Sequence, residues 1–115
     1  MGSEMCIRDR ARIIKNDLDI SLICPGEIIF VPKELLENIP LSKNIAGIIT
    51  NQNVDEVYSF FNNKNKKIST ICNLENMENH QVNNGDLITL QLNEGVIYMG
   101  QIEDDDDAID KYKYV

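Results

Sequence analysis

The chain has a single histidine, His80. That scarcity excludes metal centres built on histidine clusters, and a cysteine–histidine couple would have to pair His80 with Cys24 or Cys72. The three cysteines, Cys6, Cys24 and Cys72, show no CxxC spacing and form no even set. Neither a zinc site nor a disulfide framework is therefore expected, and free thiols in a reducing compartment follow. None of the five serines (Ser3, Ser21, Ser42, Ser59, Ser69) stands in a GxSxG turn. The glycine-rich patterns GxGxxG and GxxxxGKS/T, which cradle phosphates, are missing as well. No apolar run approaches the ~18 residues of a membrane helix, and Arg8, Arg10 and Arg12 interrupt any signal-peptide core. Basic residues are outnumbered 11 to 19 by acidic ones, a formal net charge of −8, whereas a phosphate-backbone binder needs clustered cations. These absences predict a cytoplasmic protein without cofactor or metal that binds neither nucleic acid nor membrane.

What is there fits one small domain, since 115 residues lie within the range of roughly 50 to 250 typical of single domains. The charge is uneven. Glu103, Asp104, Asp105, Asp106, Asp107 and Asp110 are six of the 19 acids, against Lys111 and Lys113 nearby, so residues 1–102 keep 13 acids and nine bases. The run 103–107 has carboxylates enough for Ca²⁺ but lacks the interleaved glycine and spacing of an EF-hand loop; a solvated tail is the expectation. At the other end, Met1-Gly2-Ser3 looks like the start of an expression tag, and Met5-Cys6-Ile7-Arg8-Asp9-Arg10 resembles a translated sequencing adapter. On that reading the natural frame begins near Ala11 as a fragment of a longer protein; the other reading is a charged helical lead-in through Asn16. The predicted organisation is residues 1–16 as tag-like or helical lead-in, 17–102 as the folded domain and 103–115 as an acidic tail.

Within the domain, Pro25-Gly26 marks a turn, and Glu27 to Val31 is a β-branched run of strand length ended by Pro32. Lys33 to Asn38 has room for one or two helical turns before Pro40. Ile45 to Thr50 is continuous rather than alternating, the pattern of a strand covered on both faces. The clearest helix follows, with Asn53 as N-cap, Glu56 as its capping-box partner, and Val54, Val57, Tyr58 and Phe61 as one apolar stripe. Asn62 to Lys67 ends it in polar residues, with cations at the negative end of the helix dipole. Ile68 to Cys72 predicts a third strand, Leu74 to His80 a short helical turn, and Asn84-Gly85-Asp86 a tight turn. Asp86 to Leu92 and Val96 to Met99, joined by Asn93-Glu94-Gly95, predict a C-terminal hairpin. The fold class is α/β: one domain with a mixed sheet.

Two further residues are candidates for chemistry. His80 sits in a polar stretch and reads as a surface residue. Tyr58 has no neighbouring base or cation in sequence, and a phenol with a pKa of about 10 is a poor nucleophile unassisted; packing on the apolar stripe is expected.

The order of the segments Pro25–Pro32, Ile45–Thr50, Asn84–Leu90 and Gly95–Gly100 resembles the swivelling (mobile, phosphohistidine) domain of phosphoenolpyruvate-utilising enzymes. It is most similar to the version appended at the C-terminus of some bacterial pyruvate kinases. The match runs from about Pro25 to Ile102 and implies a swivelling β/β/α fold. In catalytic members a histidine at the start of a helix carries a phosphoryl group between distant sites. The family's Gly-Gly-x-Thr-Ser-His segment falls here on Asn53, Val54, Asp55, Glu56, Val57 and Tyr58, so Tyr58 occupies the carrier position. A carrier needs a neutral nucleophile available near pH 7, which imidazole supplies and an unactivated phenol does not. Glu56 would also repel incoming phosphates. The later Gly-Ile-Pro signature reads Lys67-Ile68-Ser69. The resemblance thus implies a degenerate, non-catalytic accessory domain, serving assembly or regulation beside the catalytic domain of a parent enzyme or a homo-oligomer partner. The alternatives are a phosphoryl carrier using an unconventional residue, and an independent small binding module with an acidic tail.

Overall fold

Two runs of β-branched residues frame the molecule. In a computed structural model that describes residues 6–75, 82–92, 95–99 and 108–111, Ile28–Val31 (β2) and Gly47–Thr50 (β3) are strands buried at every position. Cys6–Ile13 (β1) precedes them, and Thr70–Ile71 (β4), Leu87–Gln91 (β5), Val96–Met99 (β6) and Ala108–Lys111 (β7) follow. Between them lie two single-turn helices, Asp17–Ile20 (α1) and Lys33–Leu36 (α2), and the 11-residue helix Val54–Lys64 (α3).

The strand order is β4-β3-β2-β1-β5-β6-β7. From β1 to β4 every pairing is parallel, and from β1 through β5 and β6 to β7 every pairing is antiparallel. The change of direction happens within β1, whose residues Ala11–Ile13 pair with β2 while Cys6–Arg10 pair with β5. Successive parallel strands step in one direction across the sheet. Right-handed crossovers then put all three connecting helices on the same face, and the opposite face needs another cover.

The antiparallel half supplies it. On the helical face Ile29, Val31 and Ile48 join Leu36, Val57, Phe60 and Phe61 in one buried cluster. On the other, Ile28, Phe30, Ile49 and Ile71 join Ile88, Leu90 and Ile97 of the antiparallel half. Adjacent residues of one strand enter different clusters because strand side chains alternate between faces. Gly47 marks a close approach: a Cβ there would lie 3.1 Å from Leu90 Cδ1, so the sheet curls over until β5 rests on β3. The protein is a mixed α/β domain with helices, parallel strands and antiparallel strands in successive layers.

Two expectations are corrected, and a third lies largely outside the described residues. Cys6–Ile13 is neither a helix nor a lead-in outside the domain, because β1 has strand neighbours on both sides that satisfy its backbone groups. The tail beginning at 103 is not wholly separate, since Ala108–Lys111 pairs with β6; the acidic run 103–107 lies outside the described residues. Leu74 and Glu75 are not helical, and the rest of the short helical turn expected over Leu74–His80 lies outside the described residues. Instead, Asn73 at φ 62° and the bond from Leu74 N–H to Thr50 O (3.1 Å) tie that segment to the end of β3. His80 also lies outside the described residues.

Candidate functional site

In a parallel sheet, ligands bind beyond the carboxyl ends of the strands, where helix N-termini point their N–H groups. Here that edge is formed by Thr50, Asn51, Gln52 and Asn53 between β3 and α3. Nearby are the start of α2 at Lys33, and Asn73 after β4.

The edge is stitched together by amides. Asn53 caps α3, its Oδ1 accepting from Glu56 N–H at 2.9 Å, as the sequence predicts. The reciprocal half of the capping box belongs to another residue: Asn53 N–H donates to Gln52 Oε1 at 2.9 Å rather than to Glu56. Asn51 Oδ1 accepts from Lys33 N–H (2.7 Å), which ties down the start of α2. Buried Thr50 accepts from Gln52 N–H through Oγ1 (3.3 Å), and Gln52 O accepts from Asn73 N–H (2.9 Å). Asp55 and Glu56 stand exposed in the first turn of α3, and Glu34 in that of α2. Carboxylates there complement the helix dipoles and oppose an incoming phosphate.

The segment of interest therefore divides. Asn53 is a cap, Asp55 and Glu56 are exposed acids, Val54 is partly buried against the core and Val57 is buried. Tyr58 departs from expectation. It is 43% exposed, and Phe60 takes the inward position with Val57 and Phe61. Burying two adjacent phenylalanines, with ring centroids 5.4 Å apart, turns the helix so that Tyr58 faces outward. The phenol then meets a cation that sequence proximity did not reveal, for Lys67 Nζ lies 5.9 Å from the ring centroid, within cation–π range.

No protein-family model and no curated protein matches the chain.

Across the sheet, the amino edge of the parallel strands has a different chemistry. Helix α3 ends there in a Schellman motif: Asn65 adopts the left-handed conformation (φ 54°), its N–H donates to Asn62 O, and Lys66 N–H donates to Phe61 O. Beyond the motif an open groove of about 420 Å³ is lined by Tyr58, Phe61, Asn62, Asn65, Lys66 and Lys67. Lys66 Nζ donates to Leu41 O, and Lys43 Nζ donates to Ile23 O at 3.1 Å.

At the same edge Arg12 of β1 grips Glu27, just ahead of β2, through two bonds: Nε to Oε1 at 3.0 Å and Nη2 to Oε2 at 2.9 Å. Cys24 N–H also donates to Glu27 Oε1 at 2.8 Å. Burial by itself raises the Glu27 carboxyl. The bond from Arg12 leads the opposing influences, with the Cys24 N–H and the charges of Arg12 and Lys43, and together they hold Glu27 below its ordinary value. The bond to Glu27 raises Arg12 further. This pair locks β1 to the turn entering β2, and every oxygen of the carboxylate is engaged. Cys72 is buried and its thiol is pushed up to about 11 by desolvation, which removes it as a nucleophile near neutral pH. Cys24 is exposed and both are free thiols. Among the described residues no group of three or more histidine, cysteine, aspartate or glutamate side chains is placed to hold a metal ion. Among them too, no helix is long and apolar enough to cross a membrane.

Proposed function

We propose that the chain is a degenerate, non-catalytic swivelling-type domain, an accessory part of a pyruvate kinase-like or related phosphoenolpyruvate-utilising enzyme. The observation that carries this reading is the carboxyl edge, closed among the described residues. Where a phosphoryl carrier presents open helix N–H groups and a nucleophile, Asn51, Gln52 and Asn53 engage the backbone, and Asp55 and Glu56 add negative charge. Tyr58, at the carrier position, opens onto the groove beyond the far end of α3. The succession of helices, parallel strands and antiparallel strands supports the β/β/α part of the reading. A domain of this kind has no cofactor, and its partner is the catalytic domain of the parent enzyme or a second copy in the cytoplasm.

Phosphoryl transfer distinguishes the accessory role from a carrier with an unconventional residue. The full chain is incubated with labelled phosphoenolpyruvate, alone and with a cell extract supplying the parent enzyme, then recovered for intact-mass and phosphopeptide analysis. The expected result is no added phosphoryl group. Stoichiometric phosphate on Tyr58 or His80 would overturn the accessory reading in favour of the carrier.

A further inference from the structure

The acidic run 103–107 and the basic groove past α3 are the two features left without a role. Among the described residues no carboxylate lines the groove, although the chain as a whole carries a net charge of −8. Its cations are partly immobilised: Lys66 is held to Leu41 O, and Lys67 lies over the Tyr58 ring. Each ammonium has three donors, so the single bond of Lys66 to Leu41 leaves capacity for a ligand. Asn62 and Asn65 add exposed amides to the same lining. Such a surface fits an extended stretch of carboxylates, each meeting an ammonium or an amide N–H with charge-assisted bonds.

We propose that this groove receives the acidic run Glu103–Asp107 of a second copy of the chain. Five consecutive carboxylates make that run the densest block of charge in the sequence. Its flanks, Met99 and Ala108, belong to β6 and β7 of the antiparallel half. That half covers one face of the parallel strands, while α3 covers the other. Packed layers are about 10 Å apart, so α3 lies roughly 20 Å from the strands that anchor the run. A segment of eight residues pinned at both ends extends about 15 Å from its anchors at full stretch. The copy that carries the groove reaches it with its own run only near full stretch, at the cost of the segment's conformational freedom. A second copy meets no such restriction. Self-association by this contact does not rest on the phosphotransfer reading, and the two fail separately.

Sedimentation of the full chain over a range of concentrations tests the contact. At about 50 mM salt the mean mass should rise with concentration, and it should return to the monomer at about 0.5 M, where screening shortens to a few ångströms. Substituting Lys66→Glu with Lys67→Glu, both exposed, should abolish the association while leaving the far-ultraviolet spectrum unchanged. A labelled peptide of residues 101–108 should bind the full chain about tenfold more tightly than the doubly substituted one. The same peptide with Glu103→Gln and all four aspartates changed to asparagine should not bind. A monomer at every concentration with no peptide binding would overturn the proposal, as would association indifferent to the two lysine substitutions. A chain that stays monomeric, yet takes up the peptide only when its own run is neutralised, would show the run bound within one copy, and that too would overturn it.

Discussion

The two edges of the parallel sheet are built from the same connections and end in opposite chemistries. At the carboxyl edge, amide side chains satisfy the backbone at the starts of α2 and α3, and exposed Asp55 and Glu56 stand over them. At the amino edge, charge is either locked in a pair, as with Arg12 and Glu27, or displayed around a groove, as with Lys66 and Lys67. In a parallel α/β layer the carboxyl edge is the usual place for chemistry. Here the described residues of that edge are engaged with the backbone or acidic, and unspent binding capacity sits at the other end of the same helix.

Perturbing each edge in turn sharpens this contrast. Phe61 belongs to the core and also lines the groove; Phe61→Ala should cost about 3–5 kcal/mol in denaturant unfolding and erase the groove with it. Glu27→Gln removes the carboxylate that Arg12 grips, for an expected loss of about 2 kcal/mol near neutral pH. Because the folded-state pKa of Glu27 is depressed, the unfolded chain takes up the proton first as pH falls. The contribution of the pair is thus full above the ordinary glutamate range near pH 4.5 and is lost below it. Stability measured from pH 7 to pH 3 should fall less steeply in Glu27→Gln than in the parent.

Smaller effects are expected from single residues at the two ends of α3. Asn53→Ala uncaps the helix and should cost about 1 kcal/mol, read as a lowered urea midpoint at unchanged slope. Its effect on peptide binding at the groove should be nil, since the two sites lie at opposite ends of the helix. Lys67→Ala should change stability by only about 0.5 kcal/mol, the worth of an exposed cation–π contact, while weakening binding of the 101–108 peptide. If Asn53→Ala weakened that binding as much as Lys67→Ala, the two edges would not be independent.

Much of the frame is legible without the structure. Glu27–Val31 declares itself as a strand through its β-branched residues, and Ile45–Thr50 as one covered on both faces through a run without polar alternation. Asn53 is identified as a cap by its position before the apolar stripe. Asn84-Gly85 forms the predicted turn, with Gly85 at φ 88° and Asp86 N–H bonded to Asn83 O. The stripe differs in one member, Phe60 in place of Tyr58, because a helix with apolar residues at 57, 58, 60 and 61 has two possible inward faces. Packing against Ile29, Val31 and Ile48 selects Phe60 over Tyr58, and a phenol loses less than a phenyl ring by meeting water. The partners of that phenol were also hidden, since Lys67 comes near Tyr58 only once the Schellman turn has reversed the chain.

Local order, then, was set by the sequence itself: caps, turns and continuous apolar strands depend on residues within a few positions of one another, where backbone preference and periodicity act directly. The tertiary structure alone decided that charged Cys6–Ile13 lies at the centre of the sheet, that Ala108–Lys111 joins its margin and that Leu90 comes to rest against Gly47. It also decided which end of α3 stays open. These outcomes depend on hydrogen bonds and contacts between residues far apart in the chain, and their stabilisation arises only when the layers close on one another.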